Sequence, residues 1–341
     1  MIRRCLSLAV AAGACTLTIA GPAGAAGSLS GQGSTFVANF LEQCKADAAK
    51  VGGPSVTYQA TGSGAGRNGY IEGTVDFAAS DVPFSSSEKP KADVKPYVYI
   101  PIVAGGVAVT YNVPGVTNLT LSGPTLGRIF TGKIRSWNDK QIATENPGVK
   151  LPKLVVRVVV RSDSSGTSNV FSNYLSKAAP KEWTKGATST FPVPPVVGIG
   201  QKGSDGVGNY VAGPQGKGSI TYAEVSFARE RKLRVAKIVN AAGKAVLPEA
   251  AAVTESIAES PVGKDNVIAA DPLARGAAVY PISAVAYLIV PKFSGKAADL
   301  ISFATSMLGP CQAKATSLGY APLPKSVVDI ATKTLGSVRK G

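Results

Sequence analysis

A chain of 341 residues with 45% hydrophobic content is long enough for two domains with buried cores and too apolar for wholesale disorder. Its formal net charge of +15 comes from 36 basic against 21 acidic residues, and it contains no histidine. The missing imidazole excludes histidine general-base catalysis, the Ser-His-Asp triad and most zinc sites.

The N-terminus has the pattern of an export signal. Arg3 and Arg4 precede an apolar stretch from Leu6 to Ala20, and Ala23-Gly24-Ala25 offers small residues for cleavage near Ala25. Ala12-Gly13-Ala14 before Cys15 lacks the large aliphatic residue of lipid-attachment sites, so a soluble product is expected. Cys44 and Cys311 then remain, and an exported chain with two cysteines is expected to pair them. Cys44 shares a helical face with Phe36, Phe40 and Leu41, which leaves a buried free thiol as the alternative.

Along the mature chain, Gly33-Ser34-Thr35-Phe36 opens a helix expected over 36–49, with Thr35 near its N-cap. A strand over 56–60 leads into Thr61-Gly62-Ser63-Gly64-Ala65-Gly66 and further helix-like sequence. Arg67 stands where a dinucleotide fingerprint needs its third glycine, so a nest around Ser63 fits better than a cofactor loop. A strand over 75–79 ends at Asp81, which is either a turn-former or an acceptor facing a ligand. Strands follow over 97–103 and 106–111, and a helix over 126–130.

The apolar run 154–160 ends in Arg161-Ser162-Asp163-Ser164-Ser165-Gly166-Thr167, ahead of a helix over 169–177. A strand that breaks into Ser, Gly and Thr and then opens a helix leaves N–H groups, hydroxyls and the positive helix end aimed at one spot. Arg161 adds a planar fork of donors suited to a tetrahedral oxyanion. Asp163 either holds that arginine or caps the helix.

Gly216-Lys217 is followed by Gly218, not by the Ser or Thr of a Walker loop, and neither cofactor nor metal is expected. Arg229-Glu230-Arg231-Lys232-Leu233-Arg234 reads as a solvated face, and no basic stripe with interleaved aromatics suggests nucleic acid. Ala-rich segments near 241–253 and 269–278 are expected to be peripheral. A final helix over Ala297–Leu308 stops at Gly309-Pro310. The alternation argues for α/β layers with parallel strands and a long insertion between two crossings, near 105–112 and 280–283.

These loops, in this order, resemble the periplasmic phosphate-binding protein of the phosphate ABC transporter. Further matches include Ile102-Val103-Ala104-Gly105-Gly106, Thr125 to Ile134, Trp137-Asn138-Asp139, Gly200 to Gly206 and Leu318 to Pro324. The resemblance implies an α/β protein of the type II periplasmic-binding-protein fold, two lobes joined by a two-strand hinge. After a signal peptide over 1–25, lobe 1 would take 26–111 and 281–341, and lobe 2 would take 112–280. It implies phosphate held by Thr35, Phe36, Ser63, Asp81, Arg161, Ser165, Gly166 and Thr167, with Asp163 steadying Arg161 from behind. Ser63 would give both N–H and hydroxyl, and Arg161 a bidentate pair. Ser204 stands where many relatives carry Asn.

The implied protein is a monomeric, non-catalytic periplasmic receptor that delivers phosphate to permease subunits in the inner membrane. The alternatives are a secreted relative with phosphatase activity or a surface- or matrix-binding role.

Overall fold

The computed structural model describes residues 27–341 apart from Lys264, and the expected export signal lies outside the described residues. The strands are β1 Ser28–Gly33, β2 Ser55–Ala60, β3 Phe77–Ser80, β4 Tyr97–Asn112, β5 Thr120–Leu121 and β6 Arg157–Arg161, followed by β7 Gly198–Gln201, β8 Ser219–Glu224, β9 Arg234–Val235, β10 Lys237–Val239, β11 Ala245–Val246 and β12 Ser283–Pro291. The main sheet runs in the order β2-β1-β3-β12-β4-β8-β6-β7, with β9 also on β4; β11, β10 and β5 form a small second sheet. The expected parallel pairs occur at both ends, β1 with β2 and β3, and β6 with β7 and β8.

The centre is antiparallel and rests on β4. Its residues from Tyr99 to Tyr111 are all buried, so no alternation marks a wet face. Gly105-Gly106 suggests two strands in the sequence, yet the strand runs through both. A Cβ on Gly105 would lie 2.7 Å from Phe36 Cζ, so the absent side chain makes room for a ring and no turn is needed. The strand changes partner at this point. Gly106 faces Ser283 on β12, whereas Val107 faces Glu224 on β8. The returning segment crosses beside it: Val107 N donates to Ile282 O at 2.8 Å, and Tyr280 OH donates to Val107 O at 2.7 Å.

The Ala-rich region is not peripheral. Helix Ala250–Ala258 buries Ala252, Val253, Ser256 and Ile257. Beyond it, Ile268 N donates to Tyr287 OH at 2.8 Å and Asn266 Nδ2 to Thr334 Oγ1 at 2.7 Å, so the segment packs on β12 and the last helix, Lys325–Leu335. Small side chains allow that close packing, and alanine content alone does not reveal it.

Helix Ala38–Lys50 starts two residues later than expected and buries Phe40, Leu41 and Cys44 on one face. Helix Ala297–Leu308 ends at Gly309 and leads into the turn Pro310–Lys314 that carries Cys311. The two cysteines are disulfide-bonded, with Cα atoms 5.7 Å apart across a sequence separation of 267. A cross-link over so long a loop restricts the unfolded chain strongly. Replacing both cysteines by alanine is expected to lower unfolding free energy by roughly 2–5 kcal/mol, read from urea titrations of the two proteins.

Candidate functional site

Five loops meet at the carboxyl ends of parallel strands, the usual place for a ligand in α/β sheets. The loop after β1 carries Ser34, Thr35 and Phe36. The turn after β2 enters helix Ser63–Glu72, and the end of β3 presents Asp81. From the other half of the sheet come Arg161 at the end of β6, the first turn of helix Gly166–Ala178, and helix Gly203–Ala212 after β7. Parallel pairing brings these ends together: Gly33 lies opposite Ala60 and Ala79, and Arg161 opposite Gln201.

The two groups of loops touch. Gly64 N donates to Ser164 O at 2.9 Å, and Thr35 Oγ1 lies 2.9 Å from Ser204 Oγ. A Cβ on Gly166 would stand 2.5 Å from both Asp81 Oδ2 and Ser63 Oγ, so only glycine permits this approach. Thr35, Ser63, Asp81, Arg161, Ser165 and Thr167 are all buried.

Asp81 is held by hydroxyls: Ser34 Oγ donates to Oδ1 at 2.5 Å and Ser63 Oγ to Oδ2 at 3.2 Å. The Ser63 hydroxyl is therefore committed to Asp81, and its N–H remains for a ligand. Phe36 N donates to Ser34 Oγ at 3.1 Å, so that amide too is diverted from the cleft. Ser34 does both because its short side chain sits between the acid and the loop. Arg161 donates from Nε to Asp163 Oδ1 at 2.7 Å and from Nη2 to Oδ2 at 2.5 Å. That pair uses one edge of the guanidinium fork and leaves the Nη1 edge for other acceptors.

Asp163 holds Arg161 and does not cap the following helix. Ser165 is the cap, its Oγ accepting from Ser168 N at 3.1 Å. That bond uses the Ser165 oxygen as an acceptor and leaves its hydroxyl hydrogen for a further partner. Asp163 Oδ1 accepts from Gly203 N at 2.9 Å as well, tying a third helix start to the arginine. Thr35 is not a cap either: the first helix has Val37 at that position with no side-chain bond. Its hydroxyl turns to Ser204 because the helix begins two residues further on.

What remains is a surplus of donors. The N–H groups of Thr35, Ser63, Gly166 and Thr167 meet no protein acceptor among the described residues. The Thr167 Oγ1 is buried without a partner. Orphan amides at helix starts, an unpaired hydroxyl and a guanidinium edge whose Nη1 reaches Ser204 Oγ only at 3.4 Å are donors suited to an anion, with the Asp81 carboxylate beside them.

The PBP superfamily domain model matches residues 18–307. The phosphate-binding protein PstS of Xylella fastidiosa is 37% identical over 308 residues, covering 88% of this chain and 82% of its own. PstS 2 of Mycobacterium tuberculosis is 37% identical over 319 residues, covering 87% and 84%. The chain belongs to the PstS phosphate-binding protein family. Among solved structures, a high-affinity periplasmic phosphate-binding protein with phosphate bound aligns over 90% of this chain and 93% of its own, at TM-score 0.72 and 25% identity. A phosphate-binding protein from Stenotrophomonas maltophilia shares the fold at TM-score 0.72 and 23% identity, covering 90% and 94%. The architecture is thus the type II periplasmic-binding-protein fold, two α/β lobes joined by two strands, and relatives in the PstS family are named as binding proteins rather than enzymes.

Burial pushes the Asp81 carboxyl of this PstS-family chain up to about 6, against the bonds from Ser34 and Ser63 and the charges of Arg161 and Arg67. Burial acts on Asp163 as well, but the Arg161 bond and charge outweigh it and hold that acid below its ordinary value. Ser34, Gly203 and Ser164 are contributors that sequence reasoning missed. All three stood inside motifs read from the sequence, but tertiary packing sets their bonds: Gly203 N reaches Asp163 on the same half of the sheet, and Ser164 O accepts from Gly64 N across the cleft.

The Asp81 carboxyl holds its proton more tightly in the folded protein than in the unfolded chain. Its folded value lies above the unfolded one of 3.8, so ionisation of Asp81 weakens the free protein, and that cost disappears as pH falls from about 6 towards 3.8. Asp81→Asn is expected to be more stable than wild type at pH 7, with the difference closing below pH 4, in thermal unfolding of ligand-free protein. Gly166→Ala should hold the lobes apart and weaken any ligand gripped by both, seen as a larger radius of gyration in small-angle scattering.

Proposed function

We propose that this protein binds inorganic phosphate between the lobes as a non-catalytic receptor and delivers it to the permease of a phosphate ABC transporter. Relatives in the PstS family are phosphate-binding proteins, and one observation supports the same role here above the rest: a single buried carboxylate in the cleft faces a surplus of buried donors. Donors alone would take any tetrahedral oxyanion. A carboxylate among them accepts a bond only from a ligand that still bears an O–H, as phosphate does and sulfate at neutral pH does not. Wrong ligands leave buried groups unpaired, which can discriminate by roughly 10⁴–10⁵-fold.

In this reading Thr35, Ser63, Gly166 and Thr167 donate N–H groups, the Thr35 and Thr167 hydroxyls add to them, and Arg161 contributes its Nη1 edge. Ser165 caps its helix as an acceptor and donates its hydroxyl hydrogen to the ligand, and Phe36 acts through Ser34. The ligand is gripped by both lobes, so its binding shifts the open–closed balance. Export with cleavage near Ala25, a periplasmic location, a monomeric state and docking on inner-membrane permease subunits complete the proposal. The first lobe would span 26–111 and 281–341. We redraw the second as 112–246, with 247–280 packed across the crossing onto the first lobe.

Isothermal titration should show phosphate binding and no sulfate binding at pH 7.5. Below about pH 6, Asp81 takes a proton and becomes a donor, so phosphate affinity should fall while sulfate binding appears. Equal binding of both anions at pH 7.5 would remove Asp81 as the filter.

A further inference from the structure

Ser204 is fully buried at the start of helix Gly203–Ala212, and three polar contacts converge on it. Its Oγ lies 2.9 Å from Thr35 Oγ1, its N–H donates to the same Thr35 oxygen at 3.3 Å, and Arg161 Nη1 donates to Ser204 Oγ over a long 3.4 Å. Thr35 belongs to the first lobe, and Ser204 and Arg161 to the second. The three side chains therefore form a bridge between residues 169 positions apart.

Proton accounting gives the bridge a direction. An arginine has no acceptor, so Ser204 Oγ accepts there and keeps one hydrogen of its own. An anion in the cleft draws the Thr35 hydroxyl hydrogen towards itself. The Ser204 hydrogen then fills the vacated acceptor on Thr35, and every hydroxyl is satisfied. Reversing the pair would turn the Thr35 hydrogen away from the anion and leave the Ser204 hydrogen without an acceptor, in a site closed to water.

We propose that Ser204 is a positioning residue for the anion, relaying a donor bond from Arg161 to Thr35 so that the Thr35 hydroxyl meets the ligand only as a donor. Asp81 then stays the one acceptor in the cleft. The identity of the anion rests on the phosphate reading above, whereas the bridge between lobes does not. Because the bridge exists only when the lobes are together, its loss acts on release more than on capture.

The test uses wild type, Ser204→Ala, Thr35→Val and the double variant, with inorganic phosphate as probe in titration and stopped-flow measurements. Ser204→Ala should weaken binding by about 10-fold or more, mostly through faster dissociation. The double variant should bind no worse than the weaker single one, since both remove the same link. Unchanged affinity and dissociation rate in Ser204→Ala, or losses that simply multiply in the double variant, would overturn the proposal. Small-angle scattering of phosphate-free protein supplies a separate arm. Ser204→Ala should have the larger radius of gyration, and an unchanged radius would also overturn the bridge. If wild type takes up no phosphate, the functional reading falls, and this scattering comparison alone decides the bridge.

Discussion

Every polar group in the closed cleft has been taken out of water, and each must find its partner in the protein or in a ligand. That constraint organises the molecule more than charge does. A chain with net charge +15 could hold an anion by massed lysines, yet among the described residues the cleft draws on one arginine whose charge is already shared with Asp163. Recognition is left to oriented dipoles at helix starts, which a strand-to-helix turn supplies without further side chains. Full charges behind a ligand would hold it more firmly and slow its release.

Two buried carboxylates show how finely the surroundings set this balance. Burial pushes Asp81 up to about 6, with two hydroxyls and the charges of Arg161 and Arg67 pulling it back. Burial pushes Glu224 further, to about 8, because its opposing partners are the N–H groups of Val225 and Ser226, the Ser226 side chain and the Arg229 charge. Its Oε1 has no partner at all. At neutral pH the acid in the cleft is therefore mostly ionised and the acid at the lobe crossing mostly neutral. Only the first can act as an acceptor for a protonated ligand.

The sequence made the loops legible because their chemistry is local. Strand, small residues, helix start and Arg161 lie within a dozen positions, and the structure gathers them as that order suggests. Contacts set by tertiary packing were less visible. Ser34 looked like part of a motif's spelling until its hydroxyl was seen between Asp81 and the Phe36 amide. Thr35 read as a cap because the apolar pattern begins at Phe36, although the helix starts only at Ala38. Gly105-Gly106 looked like a break in a strand, and the ring that needs the space sits some seventy positions earlier. The segment from 250 to 268 gave no periodic signal because its small side chains pack against several elements at once.

The bond between Cys44 and Cys311 has a topological consequence. With the lobe boundaries proposed above, the second lobe, 112–246, lies wholly between Cys44 and Cys311, inside the covalent ring that the cystine closes. A single protease cut in an exposed loop of that lobe opens the ring without dividing the molecule, and both fragments stay fastened through the sulfur atoms. In the exported location proposed above, among hydrolases, that linkage is insurance against the first cut.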